Sequence, residues 1–472
     1  MKELKELLDK KGLLIIMILA FIILLLPQLR FFSIPYHLDS ESYYHLRIAV
    51  NLKENFIVTN DTLSYNGRDY YFNLTDFILS KLYIIDIFAR ILPFIFGLAT
   101  IYLFYKILEL IKIKHRLKLL VAAITISSPV FIFVFSTFNY LFMVVFLNVL
   151  ILYLLFKKKY KLYTPLIMLI PLFNIKVVPI TLILLLAFFL TKKEFKPLIL
   201  SAGSLFLAAA IYYFVVIFPK FIFPDTFIMN ITISTLIADF GSFFGLSVFA
   251  LLLSVMGFFI LWTQKKNHFF ILTILICLLI PSLYFPFITI FLNFLLSYLA
   301  ATAFIEIIER KWQHKIIKNA TIILIFCGLL FSTTSFVNRI IENEPTNEQV
   351  GSLVWLSKHS QEQDVVFSHY KNGYIIEYFA ERPVVMDEMF LYAPNFNDRL
   401  NDSNTIFQSR SLEQTTTLLD KYNVKYIWID EKMKSGLVWN KKEQGLLFLF
   451  NDKEVFKNIY FDSGIEIWSY TG

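Results

Sequence analysis

Charged side chains are scarce in this chain. Asp, Glu, Lys and Arg make up 17% of 472 residues, against 57% hydrophobic, whereas a soluble domain keeps about a quarter of its residues charged. A large soluble protein with an ordinary core is excluded, because runs of about 18 or more apolar residues recur. Only two cysteines occur, Cys277 and Cys327, both inside apolar runs. They read as buried thiols, with no disulfide or thiolate–metal framework implied. Glycine numbers 14, too few for glycine-rich phosphate loops, and Walker, dinucleotide and serine-hydrolase signatures are absent. No internal repeat or low-complexity segment is present.

What is abundant is apolar surface, with 52 Phe in clusters and a mean hydropathy of +0.64. Apolar runs near 12–32, 83–111, 117–135, 138–156, 162–175, 177–190, 197–218, 243–263, 269–286, 288–308 and 316–336 predict about eleven transmembrane helices. The runs 162–175 and 177–190 are short and separated by Asn174 and Lys176, which suits two short or tilted helices or one re-entrant pair. The first run follows a basic stretch and resembles a signal peptide, but it is too long for one and lacks a small-residue cleavage site.

The formal charge of +8 is spent between apolar runs, so nucleic acid is a poor partner for it. Lys2, Lys5, Lys10 and Lys11 precede the first run. Clusters at 112–118, 157–161, 192–196, 265–266 and 310–315 follow every even-numbered run. One orientation satisfies them all, with the N-terminus cytoplasmic and odd-numbered exits outside. The chain then reads as a polytopic α-helical membrane domain, 1–336, with external loops 33–82 and 219–242. An extracytoplasmic α/β domain, 337–472, follows. In that tail a helix near 346–359 and strands at Val365–Phe367 and Lys425–Ile429 stand out.

Chemistry concentrates just past the first run, in Tyr36-His37-Leu38-Asp39-Ser40-Glu41-Ser42-Tyr43-Tyr44-His45-Leu46-Arg47. If 40–52 is helical, Glu41 and His45 share a face, and Asp39 stands at the N-cap as either a cap or a catalytic group. A lipid phosphate leaving group needs Arg, His or a metal, and an acceptor needs a carboxylate. The plainer alternative is an interfacial amphipathic helix with Arg47 snorkelling to headgroups. Asp225 and Asp239 in the loop 219–242 are further acceptor-side carboxylates, or helix caps. Lys176 and Arg90 could meet a lipid phosphate, although Asp86, four residues before Arg90, is placed to pair with it. Asn60, Asn73, Asn230 and Asn401 each begin an Asn-x-Ser/Thr triplet.

Asp39 with Tyr43-Tyr44-His45-Leu46-Arg47 resembles the first external loop of oligosaccharyltransferase catalytic subunits, most closely the archaeal ones, members of the GT-C superfamily. Thr232-Ile233-Ser234-Thr235, with Ala238-Asp239-Phe240-Gly241, is similar to the loop that carries that family's Thr-Ile-x-Glu motif. In the tail, Ser368-His369-Tyr370-Lys371-Asn372-Gly373-Tyr374 stands where the family has Ser followed by Trp-Trp-Asp-Tyr-Gly-Tyr. Arg382-Pro383 through Asp387 and Tyr422 through Asp430 continue the likeness.

The resemblance implies a polyprenyl-phosphate or -diphosphate sugar donor, an acceptor that is a protein, glycan or lipid, and contact with membrane lipids. It also implies a divalent metal, Mg2+ or Mn2+, held by three motifs. Here Asp39 is the sole residue matching them. The second outward turn reads Phe135-Ser136-Thr137-Phe138-Asn139-Tyr140 without a carboxylate, and Thr235 replaces the Glu. Lys371 stands where the acceptor-reading Asp would be. The expected function is therefore a glycosyltransferase with Asp39 as base and Glu41 as second candidate. His45, Arg47 and Arg90 are donor-phosphate candidates, and His369 and Lys371 are acceptor-side ones. The alternatives are an oligosaccharyltransferase with altered metal ligands and a non-catalytic lipid-glycan-binding scaffold. A transporter would need more ionisable residues within its spans than this chain has.

Overall fold

The computed structural model describes residues 2–32, 36–55, 58–64, 67–220, 233–263, 269–393, 395–441 and 443–472. Two units emerge: Met1–Leu38, Asn73–Val215 and Met229–Asn343 form the first, and Asp39–Phe72, Val216–Ile228 and Glu344–Gly472 the second.

The first unit is a bundle of apolar helices. Among the described residues six helical runs are long and apolar enough to cross a membrane, or seven if the bent pair His115–Ser127 and Pro129–Ser136 is one span. Three shorter apolar helices, Leu141–Phe156, Val248–Trp262 and Ile271–Tyr284, accompany them. The expected count of about eleven therefore meets fewer long spans. The 63° bend falls at Ser128, whose extended backbone precedes Pro129 at the start of the second helix, since a residue before proline is driven out of the helical region. Large apolar side chains point outward, Phe331 at 71% and Leu200 at 68% exposure, a surface that water would penalise and lipid does not. Cys277 and Cys327 share that outer surface. The expectation of buried thiols is corrected, because in a membrane bundle an apolar run need not face the core.

The run Tyr160–Lys192 is long and apolar enough to cross a membrane as one segment, but it folds back on itself. Asn174 takes an extended conformation and its side chain accepts from the Lys176 amide. The Tyr160 hydroxyl donates to Glu194 Oε2 at 2.6 Å, so the two ends of the run meet. A straight helix of that length would part them by about 50 Å.

Inside the bundle, some polar side chains pair with one another. Thr181 Oγ1 donates to Asn148 Oδ1 at 2.9 Å. Gly257 lets its helix touch the next, since a Cβ there would stand 2.0 Å from the Leu299 carbonyl oxygen, the close approach that small residues permit between membrane helices.

The second unit opens with the Ser40–Glu54 helix, followed by a two-residue antiparallel pair, β1 (Asn60–Asp61) and β2 (Arg68–Asp69). Its tail carries a four-stranded sheet in the order β3 (Val365–Phe367), β4 (Val424–Ile429), β6 (Ile465–Tyr470), β5 (Phe456–Asp462). β3 and β4 are parallel, which requires a crossover, here the helices Phe396–Gln408 and Leu412–Lys421. β5 and β6 are antiparallel and joined at Ser463-Gly464, both with positive φ, the geometry that a two-residue hairpin demands. A Thr346–Gln349 capping box starts the Asn347–His359 helix. Trp428 and Trp439 are wholly buried, and their indole N–H groups donate to Ser352 Oγ and the Phe407 carbonyl, so neither leaves a buried donor unpaired.

Candidate active site

The Ser40–Glu54 helix is amphipathic in sequence but buried in fact. Ser42, Tyr43, Tyr44, His45, Leu46, Arg47, Ile48, Ala49 and Leu52 are all buried. Arg47, 6% exposed, therefore does not snorkel to headgroups.

Arg47 belongs to a group of five buried charge-bearing side chains. It donates from Nη1 to Asp61 Oδ1 at 2.5 Å, from Nη2 to Asp61 Oδ2 at 2.7 Å, and from Nη2 to Glu377 Oε2 at 2.6 Å. Arg68 Nη1 donates to both Asp387 oxygens at 3.0 Å, and its Nη2 reaches Asp61 at 3.4 Å. Ser64 Oγ donates to Asp387 Oδ2 at 2.6 Å. Both guanidiniums lie near the Tyr44 ring, at 5.9 and 5.4 Å. Burial alone would raise the Asp61 carboxyl, but Arg47 and Arg68 hold it below its ordinary value. Burial pushes Glu377 well up; Asp387 and Asp61 add to this, and Arg47 opposes it.

A second, acidic group surrounds the helix N-terminus. Asp39 is buried and stands at the N-cap, yet its carboxyl makes no capping hydrogen bond, so capping does not account for it. Burial raises its pKa well above the usual carboxylate range; Glu41 and Glu388 add to the rise, and the Ser40 backbone and His45 work against it. Ser40 Oγ donates to Glu388 Oε1 at 2.6 Å, and Glu41 Oε1 lies 3.5 Å from His45 Nε2. Glu388 keeps a water-facing surface, but its carboxyl is crowded by protein. That burial, with Glu41 and Asp387, pushes it up to about 7 against the Ser40 hydroxyl and the Lys371 charge.

The other residues singled out in the sequence distribute as follows. His369 is held neutral, pushed down to about 4 by burial and by Lys371, with Nδ1 3.4 Å from the Lys371 amide. Lys371 is exposed. In the first unit, Asp86 Oδ1 lies 2.7 Å from His37 Nε2 and its Oδ2 lies 3.8 Å from Arg90 Nε, so Arg90 has the partner that the four-residue spacing suggested. Asp239 accepts from the Val248 amide at 2.8 Å and from Ser332 Oγ at 2.6 Å, the work of a helix cap. Asp225, Asn230 and Thr232 lie outside the described residues. In the turn where the resemblance implies carboxylates, Asn139 accepts from the Leu141 amide and donates to the Val134 carbonyl.

Among the described residues no three His, Cys, Asp or Glu side chains are grouped so as to hold a metal ion. Hard divalent cations want several oxygen donors, so the donor set among the described residues does not fit the Mg2+ or Mn2+ that the resemblance implies. Sequence reading missed Asp61, Ser64, Arg68, Glu377 and Glu388, and gave Asp387 no role. A signal was present in Ile375-Ile376-Glu377-Tyr378-Phe379, where one carboxylate interrupts an apolar stretch and so needs a buried partner.

No family model and no curated protein sequence matches the chain. Solved structures do. The Archaeoglobus fulgidus oligosaccharyltransferase in its apo form aligns at a TM-score of 0.65 and 14% identity, over 98% of this chain and 75% of that one. The archaeal oligosaccharyltransferase AglB from the same organism, in complex with an inhibitory peptide and a dolichol-phosphate, gives 0.61 at 13% identity, over 98% and 74%. ArnT from Cupriavidus metallidurans bound to undecaprenyl phosphate gives 0.54 at 10% identity, over 97% of both chains. The fold is that of the GT-C glycosyltransferases. A GT-C fold with several apolar spans makes this an integral membrane protein.

Proposed function

We propose that this GT-C chain transfers a sugar or glycan from a polyprenyl-phosphate-linked donor to a hydroxyl acceptor on the non-cytoplasmic face of the membrane, with Asp39 as general base. The observation that carries the reading is a buried carboxyl that caps nothing, whose proton affinity is raised by burial and by two neighbouring carboxylates. A raised proton affinity suits a group that must take a proton from the acceptor. In the reaction the acceptor oxygen bonds to the anomeric carbon as its proton passes to Asp39. The bond from that carbon to the phosphate oxygen breaks, and its electron pair leaves on the lipid phosphate. Glu41 is the second candidate base.

His45, Arg47 and Arg90 remain the basic residues considered for the donor phosphate, and we rank them by their engagements. Arg47 is held by Asp61 and Glu377, so we assign it to the frame of the site. His45, beside Glu41, keeps the phosphate role, and Lys371 and His369 the acceptor side; Arg90, in the first unit, is paired with Asp86. No step is routed through a metal.

Two contacts support the topology in this reading. Arg47 and Glu377 are bonded, so residues 47 and 377 lie on one side of the membrane and an even number of crossings separates them. The meeting of Tyr160 with Glu194 returns the 160–192 run to its starting side, which supports the even count. With the basic N-terminus inside, we place Asp39 and the tail from 337 outside.

The test is Asp39→Asn in membranes supplied with a radiolabelled polyprenyl-phosphate sugar. Transfer should fall at least about 100-fold with donor binding retained. Unchanged transfer would instead favour the scaffold reading, which the missing metal motifs also support. Transfer that survives EDTA fits the metal-free enzyme, and its abolition by EDTA an oligosaccharyltransferase with altered ligands.

A further inference from the structure

The five buried groups around Arg47 do not balance as drawn. Three carboxylates, Asp61, Glu377 and Asp387, face two guanidiniums, Arg47 and Arg68, and none of the five side chains is more than 7% exposed. An unpaired charge in such a place is strongly unfavourable, so it is avoided by binding a proton. The hydrogen bonds show where the proton goes. Asp61 is gripped by both guanidiniums. Asp387 accepts from Arg68 with both oxygens, and also from Ser64 Oγ and the Met389 amide. Glu377 has one contact, from Arg47 to Oε2, while its Oε1 is buried with no hydrogen-bond partner among the described residues. It is the carboxylate with the least to hold its charge.

We infer that Glu377 enters this group as a neutral carboxylic acid, and that the balanced pentad is the frame that fixes the Ser40–Glu54 helix and, with it, Asp39. One face of that helix carries the attachment. Ser40 bonds Glu388, Tyr43 packs on Tyr378 and Phe379 at 5.1 Å, Tyr44 on Tyr374 at 5.2 Å, and Arg47 bonds Glu377. Positions 40, 43, 44 and 47 are the i, i+3, i+4, i+7 set of a single helix face. Asp39 is the residue immediately before this clamped face. Arg47 and Glu377 are thus positioning residues, a role that rests on the reading of Asp39 as the base.

The test uses the full chain purified in detergent. In an infrared difference spectrum at pH 7.5, wild type minus Glu377→Gln, the carbonyl stretch of a protonated carboxylic acid should appear. Its absence overturns the neutral Glu377. Melting should agree: Glu377→Gln replaces an acid with a neutral isostere and should leave the transition nearly in place, whereas Asp61→Asn, which strips a charge from both guanidiniums, should lower it by several degrees. Equal losses in the two variants overturn the inference.

Positioning is read separately in Arg47→Lys, which keeps the charge but loses the forked contacts. Transfer of the radiolabelled polyprenyl-phosphate sugar should show kcat down about tenfold or more, KM for the donor within twofold, and the acid limb of the pH profile moved downward as Asp39 loses its enclosure. The groups that set that limb are Glu41 and His45 on the helix and Glu388 beyond it, none of which is altered. An unmoved limb with unchanged kcat overturns the positioning role. The infrared and melting results judge Glu377 whatever reaction the protein performs, so their failure is distinct from that of Asp39→Asn.

Discussion

Asp387 and Glu388 are adjacent in the chain and serve opposite charge systems. Asp387 accepts from Arg68 with both oxygens in the balanced group, while Glu388 accepts from Ser40 beside Asp39 in the acidic one. A single peptide unit joins the part of the site that is neutral and locked to the part that is repelled and titratable.

Gly373 sets the distance between that dipeptide and the turn before Glu377. A Cβ at this position would stand 2.6 Å from Asp387 Cα and 2.7 Å from the Met386 carbonyl oxygen. Both are backbone atoms, so side-chain motion cannot relieve the clash. Gly373→Ala should destabilise the protein by about 1–3 kcal/mol, read as a lowered melting transition in detergent. Because Asp387 moves with it, transfer activity should also fall.

Asp39 should cost the fold stability at neutral pH. Its folded pKa is raised above the unfolded value, so the folded state holds the proton more tightly. Its contribution is fully present below the unfolded pKa of about 3.9 and is lost as pH rises through the folded value. Asp39→Asn should therefore melt higher than wild type at pH 7.5, with the difference vanishing at acid pH, while transfer is lost. A lower transition at neutral pH would contradict the repelled carboxyl.

Glu388, pushed up to about 7, titrates in the working range of most enzymes. The Ser40 hydroxyl holds its value down, so Ser40→Ala should raise it. A shoulder in the pH–rate profile near 7 should move upward in Ser40→Ala and disappear in Glu388→Gln.

The hairpin at Asn174 gives a topological prediction. In a variant with Cys277 and Cys327 replaced by alanine, single cysteines at Lys158 and Lys193 should react with a membrane-impermeant maleimide from the same side. A cysteine at Lys421 in the tail should react from the other. Labelling of 158 and 193 from opposite sides would mean that the run crosses once.

Arg339 holds the segment before the Val248–Trp262 helix by donating to the carbonyls of Ala238 and Ser242 at 2.6 and 2.7 Å. Arg339→Ala should cost about 2 kcal/mol, again seen in the melting transition.

The linear sequence by itself determined that this chain lives in lipid, because apolar runs and basic clusters are properties of consecutive residues and need no fold to be read. It also marked Asp39 to Arg47, where ionisable groups crowd within a few positions of a span. It placed Val365–Phe367 as a strand and a helix near 346–359, where local periodicity agrees with the structure. Only tertiary structure decided what those groups do. The partners of Arg47 lie 14 and 330 residues away, the hydroxyl of Ser40 meets a carboxylate 348 residues on, and burial is a property of the packed chain. The strength of a buried charge depends on what stands within a few ångströms, and that is fixed by folding.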